Sequence, residues 1–265
     1  MIGVIGGSGF YELLDDAEEH VVGTPWGEPS APVTVGAVDG RDVAFLPRHG
    51  RRHHLTPAGI NYRANLWALR ELGVTRVFGP CAVGSLQRHI EPGHVVVCDQ
   101  LVDRTWGRAD TFFEGPDVVH VSFAEPYCRE LRGVAVAAAR ASGATVHETG
   151  TVVVIPGPRF STVAESRMYR ELGFDVINMT QHPEAYLARE LGLCYSTLAL
   201  VTDHDSGVDE IEPVTMAEVL RVFDANIARL RTILFDAIAR VPLDRVCTCA
   251  DAAGGKVPAP PSSNA

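Results

Sequence analysis

Short apolar runs that end in glycine-rich polar loops recur along this chain, and stretches with apolar residues at helical spacing separate them. Residues 1–5 are apolar and break at Gly6-Gly7, and residues 43–46 form a second run that ends at Pro47-Arg48-His49-Gly50. Both patterns predict strands that enter turns. Residues 61–72 carry apolar side chains at helical spacing and close at Gly73. The strand-like run 74–78 then empties into Gly79-Pro80-Cys81-Ala82-Val83-Gly84-Ser85, which reads as a polar glycine loop. Further strands are predicted at 95–97, 152–155, 174–177 and 194–201, with helices at 129–142, 163–172, 183–191 and 215–241. Near-continuous apolar strands alternating with amphipathic helices imply a parallel or mixed sheet covered on both faces, with ligands at the carboxyl ends of the strands.

Two segments break the pattern. Residues 103–125, rich in Arg, Asp, Phe and Gly, fit neither period and read as a long loop that caps a site or joins subunits. Residues 250–265, with Gly254-Gly255 and several Pro and Ser, have nothing to bury and are expected to be disordered. The division is therefore one catalytic domain over 1–245 and a tail over 246–265.

Composition narrows the partners. The chain has 265 residues, 46% hydrophobic and 21% charged, which suits one sizeable core. Its 23 Lys and Arg against 33 Asp and Glu give a net charge of -10, so an anionic ligand needs a local cationic pocket. With lysine scarce and no basic stripe with interleaved aromatics, nucleic acid is excluded as a partner. No signal-like start and no run long enough for a bilayer span point to a cytoplasmic protein with no membrane contact. Cys81, Cys98, Cys128 and Cys194 are too widely spaced for a zinc knuckle and read as buried small hydrophobes, so no metal site is expected. Cys247-Thr248-Cys249 reads as exposed and open to a local, redox-labile disulfide.

The candidate chemistry lies in three separated clusters. Gly6-Gly7-Ser8-Gly9 lacks the dinucleotide fingerprint, but its glycines allow backbone N–H groups close to an anion and Ser8 adds a hydroxyl donor; a plain tight turn is the competing reading. Arg48-His49 supplies a guanidinium fork and an imidazole within an unusually cationic loop, and Cys81-Ala82 brings small groups beside the same anion. At the other end Asp203 and Asp205, two residues apart, point to one side of an extended backbone. Two such carboxylates suit the N6 amine and N7 of a 6-aminopurine, and an ionised Asp203 repels a 6-oxo group. A metal pair or a turn cap is the alternative for Asp-x-Asp, and Phe160 is a candidate stacking partner.

Ile5-Gly6-Gly7-Ser8-Gly9, Pro47-Arg48-His49-Gly50, Asn61-Tyr62-Arg63-Ala64-Asn65, Gly157-Pro158-Arg159-Phe160-Ser161, Asn178-Met179-Thr180 and Thr202-Asp203-His204-Asp205 occur in one order. On these segments the chain resembles the trimeric purine nucleoside phosphorylases, and among them the S-methyl-5'-thioadenosine phosphorylases. The resemblance implies an α/β three-layer sandwich with a mixed central sheet, and a homotrimer with shared active sites. It implies phosphate contacts from Ser8, Arg48, His49, Cys81, Ala82 and Thr180, ribose contact from Met179 and base contacts from Phe160, Asp203 and Asp205, with Asn178 shaping the site. Ser161, Met216, Val219 and Leu220 are the implied specificity positions. Relatives that prefer 6-oxopurines carry Glu at the Ser161 position and Asn at the Asp203 position. Inorganic phosphate is the implied co-substrate, with no cofactor. A 6-oxopurine nucleoside or S-methyl-5'-thioinosine phosphorylase, a 5'-halo-5'-deoxyadenosine phosphorylase, a nucleosidase and a non-enzymatic nucleoside-binding protein remain as alternatives.

Overall fold

Two sheets that share continuous strands organise the computed structural model, which describes residues 1–6, 17–116, 118–206, 208 and 214–259. The chain runs β1 (Ile2–Gly6), β2 (Glu18–His20), β3 (Val33–Val38), β4 (Arg41–Pro47), α1 (Tyr62–Glu71), β5 (Arg76–Phe78), β6 (Cys81–Ser85), β7 (Val95–Val96) and β8 (Gln100–Asp103). It continues through α2 (Arg129–Ala141), β9 (Val146–His147), β10 (Thr151–Val154), α3 (Val163–Glu171), β11 (Val176–Asn178), α4 (Gln181–Glu190), β12 (Cys194–Ser196), β13 (Ala199–His204), α5 (Met216–Arg240) and a 3-10 turn (Cys249–Asp251).

One sheet has the order β12-β5-β1-β4-β3-β2 and the other β8-β10-β11-β6-β13-β7-β9, with parallel and antiparallel pairs in both. The α/β class and mixed sheet agree with the sequence reading. The strands β5 and β12 cross from the first sheet into the second as β6 and β13, and the ladder persists through the bend by Gly79 N–H to Ser196 O (2.9 Å) and Cys81 N–H to Leu198 O (3.1 Å). Gly79 lies at this crossing because a Cβ there would meet the Tyr195 hydroxyl at 2.2 Å.

Helix starts follow capping chemistry. Asn61 accepts from the Ala64 N–H and begins α1, and Thr162 with Glu165 forms a reciprocal capping box that begins α3. The 25-residue α5 buries Val222, Phe223, Leu230, Ile233, Leu234, Ala237 and Ile238, a stripe at steps of three and four that packs on α2 and the second sheet.

Four expectations need correction. The run 194–201 is two strands, because the chain bends at Thr197-Leu198 between the sheets. The stretch read as a glycine loop after Pro80 is β6, held on both edges by β11 and β13. The irregular segment is a long loop as expected except at Asp103, which ends strand β8, and it is anchored: Thr111 and the Phe112 N–H donate to Glu190, both at 2.7 Å, and Phe112 packs against Trp26. Finally, the chain after residue 245 has burial of its own. Cys249 is buried, Ala253 is nearly so, and the backbone of Ala250 lies against Gly192, so the packed unit extends beyond the expected boundary. Residues 260–265 lie outside the described residues.

Candidate active site

The carboxyl ends of β4, β10, β11 and β13 and the stretch of β6 from Cys81 to Gly84 converge on a cavity of about 230 Å3. Arg48, His49, Cys81, Ala82 and Thr180 line one part of it, Phe160, Ser161, Asn178, Met179, Asp203 and Asp205 another, and Met216 and Val219 its rim. Residues far apart in sequence thus meet as expected. Ser8, with Gly7 and Gly9, lies outside the described residues. Leu220, 40% exposed on α5, does not line the cavity, because Met216 and Val219 occupy the helix face toward it. Neither do Trp106 and Phe113; Trp106 lies by a neighbouring hollow with Arg104 and Arg159.

At the first end, Arg48 is fully buried but is not the open fork expected from the sequence. Its Nε and Nη2 donate to the two carboxylate oxygens of Glu184, each at 2.7 Å, Nη2 also donates to Ile5 O at 2.8 Å, and Nη1 reaches Pro80 O at 3.3 Å. The Tyr195 hydroxyl donates to the same Glu184 at 2.6 Å. Burial alone would lower the Arg48 pKa, but the Glu184 charge and hydrogen bonds raise it, so the cation is permanent. Glu184 and Tyr195 were not recognised in the sequence. A glutamate on an amphipathic helix carries no local sign that it will be buried opposite an arginine.

His49 stacks on His53 with ring centroids 4.4 Å apart and contacts Leu55 O through Nδ1 at 2.8 Å. A carbonyl can only accept, so Nδ1 holds the proton. Burial, then the neighbouring Arg48 and His53, push the ring down to about 4. At neutral pH His49 is therefore uncharged and its Nε2 is an acceptor, where the sequence reading assigned it a donor role. Asn178 Oδ1 accepts from the N–H groups of Thr180 (3.2 Å) and Gln181 (3.3 Å), which sets the turn that presents Thr180.

At the second end, β13 carries an irregularity between Val201 and Asp203, and both carboxylates come to lie over Gly84 of β6. A Cβ at Gly84 would sit 3.0 Å from Asp203 Oδ1 and 3.6 Å from Asp205 Cβ, so the missing side chain makes room for the pair. Thr202 donates to Asp203 Oδ2 at 2.7 Å. Burial pushes Asp203 up to about 6, against that hydrogen bond, with Asp205 adding repulsion. Burial also raises Asp205, against the Ser166 hydroxyl. The Ser161 hydroxyl opposes that rise as well, and Ser161 Oγ and Asp205 Oδ2, both buried on the cavity lining, are polar atoms that a ligand can engage. Gly157, at φ +62°, allows Met179 to close over the same space, since a Cβ there would lie 2.5 Å from its sulfur.

A cavity with cationic and hydroxyl groups at one end and two proton-avid carboxyls at the other defines a site for a ligand pair that is anionic on one side and rich in donors on the other. The phosphorylase superfamily model matches residues 1–239, and the chain belongs to that family. It is 55% identical to a purine nucleoside phosphorylase of Streptomyces coelicolor, over 97% of this chain and 95% of the relative. It is 52% identical to the S-methyl-5'-thioadenosine phosphorylase of Mycolicibacterium smegmatis, over 97% and 98%. The methylthioadenosine phosphorylase of Schistosoma mansoni in complex with adenine superposes with a TM-score of 0.90 at 39% identity, covering 95% of both chains.

Proposed function

We propose that this chain catalyses phosphorolysis of S-methyl-5'-thioadenosine to adenine and S-methyl-5-thio-α-D-ribose 1-phosphate. The observation that carries the reading is the pair Asp203 and Asp205, both raised by burial and set over Gly84 in the cavity. The names of several relatives at about half identity and near-full coverage support it.

As the glycosidic bond lengthens, electrons move into the purine and C1' gains positive charge. Asp205, whose raised pKa keeps a proton accessible, delivers it toward N7 and neutralises the leaving base. Asp203 accepts from the 6-amino group. Phosphate lies near Ala82 and Thr180 with the permanent charge of Arg48 behind it, and collapses on C1' as the base leaves. Neutral His49 contributes an acceptor at Nε2, which suits the P–OH of a monoprotonated phosphate. Arg48 acts through its field and its remaining Nη1 hydrogen, since Glu184 occupies its bidentate edge. Ser8 adds a hydroxyl in this scheme. Phosphate is the co-substrate, and the reaction requires no further cofactor.

The 5' group faces Met216 and Val219, apolar side chains that suit a methylthio group. Met216 is 46% exposed, which fits closure of this end by a neighbouring subunit in a homotrimer; a light-scattering mass of one chain would refute that assembly. Among the described residues no helix is long and apolar enough to cross a membrane, and a cytoplasmic location remains our proposal.

The Streptomyces relative's name favours one second reading, a purine nucleoside phosphorylase of 6-oxopurines. Phosphate-dependent base release from S-methyl-5'-thioadenosine, S-methyl-5'-thioinosine, inosine and a 5'-halo-5'-deoxyadenosine separates them. Highest kcat/KM with the methylthio adenine compound is expected. Preference for either 6-oxopurine overturns the role given to Asp203, and release without phosphate overturns phosphorolysis.

A further inference from the structure

Away from the cavity, Cys128, Cys194, Cys247 and Cys249 converge so that their four sulfurs all lie within 4.8 Å of one another. Three separate stretches supply them. Cys128 is the N-cap of α2, Cys194 opens β12, and Cys247 and Cys249 lie beyond α5. Cys81, Cys98, Cys128 and Cys194 are all buried among core residues as expected, but Cys128 and Cys194 also meet the Cys-x-Cys pair, whose Cys249 is buried where the sequence reading expected exposure. We propose that these four cysteines form a structural site for a zinc ion.

The geometry fits the ion. A tetrahedral zinc with Zn–S bonds of about 2.3 Å has sulfur–sulfur edges of about 3.8 Å, so a cluster of this size needs shifts of an ångström or less to close on the metal. Cys194 Sγ and Cys247 Sγ, 3.3 Å apart, are in non-bonded contact, well beyond the roughly 2.05 Å of a disulfide. Two disulfides would draw the sulfurs into two pairs, but here each is near all the others. Four sulfurs and no competing carboxylate or imidazole in the group select a thiophilic ion such as zinc over calcium or magnesium.

The surroundings suit a charged centre. Binding breaks four S–H bonds, forms four Zn–S bonds and releases up to four protons, with no redox change. The resulting centre carries a net charge of minus two. Arg189 Nη1 lies 3.7 Å from Cys249 Sγ and can donate to it, so a cation already offsets part of that charge. The frame is held independently of the metal: Cys128 N–H donates to Tyr195 O at 2.8 Å, Val246 N–H to Glu130 at 3.0 Å, and Arg245 to Gly192 O at 3.0 Å. Cys247 is only partly buried and leaves an entry route.

Closure would clasp the chain end after α5 to α2 and β12. Cys194 directly precedes Tyr195, which holds Glu184 against Arg48, so the clasp would brace the wall behind the anion end.

The test is metal analysis of the full chain purified under reducing, chelator-free conditions, followed by anaerobic reconstitution with zinc or cobalt. We expect one zinc per chain, released when a mercurial titrates the thiols, and tetrahedral cobalt–thiolate absorption in the cobalt form. Cys247→Ser, at the most accessible ligand, is expected to lower zinc occupancy and to melt earlier than the zinc-loaded wild type while retaining its circular dichroism. Cys98→Ser, outside the cluster, should keep the zinc. Substoichiometric zinc after reconstitution would overturn the proposal, whether intact mass shows four free thiols or the loss of two hydrogens per disulfide.

Discussion

Replacing Asp203 by asparagine separates what this residue costs the fold from what it does for the substrate. In the wild-type chain its carboxyl is held up at about 6, whereas an unfolded aspartate titrates near 3.8. A group with a raised folded pKa binds its proton more tightly in the native state. Its favourable contribution is full below the unfolded pKa and disappears as pH rises through the folded one. Relative to low pH, a shift of this size costs the free protein at most about 3 kcal/mol above pH 7, at 1.36 kcal/mol per pH unit. Asparagine keeps an acceptor for the 2.7 Å hydrogen bond from Thr202 and has no charge to desolvate. At the typical unfolding entropy per residue, 3 kcal/mol corresponds to about 5 °C in a chain of this length. The assay is thermal unfolding of both proteins from pH 4 to pH 8.5 in phosphate-free buffer, because a bound ligand would shift the midpoint by mass action. The two curves should lie close at pH 4, separate as pH rises toward about 6 and stay apart above it, with the variant more stable at pH 8. Parallel curves, or a less stable variant at pH 8, would refute the argument. In turnover, the amide donor should reduce preference for 6-amino over 6-oxo substrates by about 10-fold or more.

Three further perturbations test other parts of the site. Glu184→Ala leaves the buried Arg48 cation without its partner, a loss of about 3–5 kcal/mol; the unfolding midpoint should fall by about 5–9 °C, and a change under 2 °C would show that the pair is dispensable. Asp205→Asn removes the proton donor while keeping its shape, so kcat should fall about 100-fold or more with little change in circular dichroism, and near wild-type turnover would remove Asp205 from the leaving-group step. Gly84→Ala places a methyl group 3.0 Å from Asp203 Oδ1 and 3.1 Å from Ile177, so substrate KM should rise about 10-fold for a stability loss of about 1–3 kcal/mol. An unchanged KM would mean that the carboxylates have room to retreat.

Local pattern determined much of this protein in advance. The five α-helices among the described residues lie where apolar residues recur at steps of three and four, and caps such as Asn61 and Thr162 stand directly before two of them. Strands β1, β4, β10 and β11 are legible because strands buried on both faces become nearly continuous apolar runs. The polar clusters identified Arg48, His49, Phe160, Asp203 and Asp205 as candidates, since ligand groups gather at strand ends, whereas Asn178 and Thr180 came only from the resemblance; all of them line the cavity. What no local pattern carries is the identity of partners far away in the chain. Arg48 is answered by Glu184 at 136 residues' separation, and only the packing of α4 against that wall turns an apparently free guanidinium into a buried ion pair. The His49 proton is assigned by the Leu55 carbonyl and by burial, neither of which is encoded in the Arg-His dipeptide. Four cysteines scattered over three stretches became one cluster for the same reason. Sequence spacing constrains neighbours along a helix or strand, but which surfaces of different elements meet is settled by the burial of the whole core.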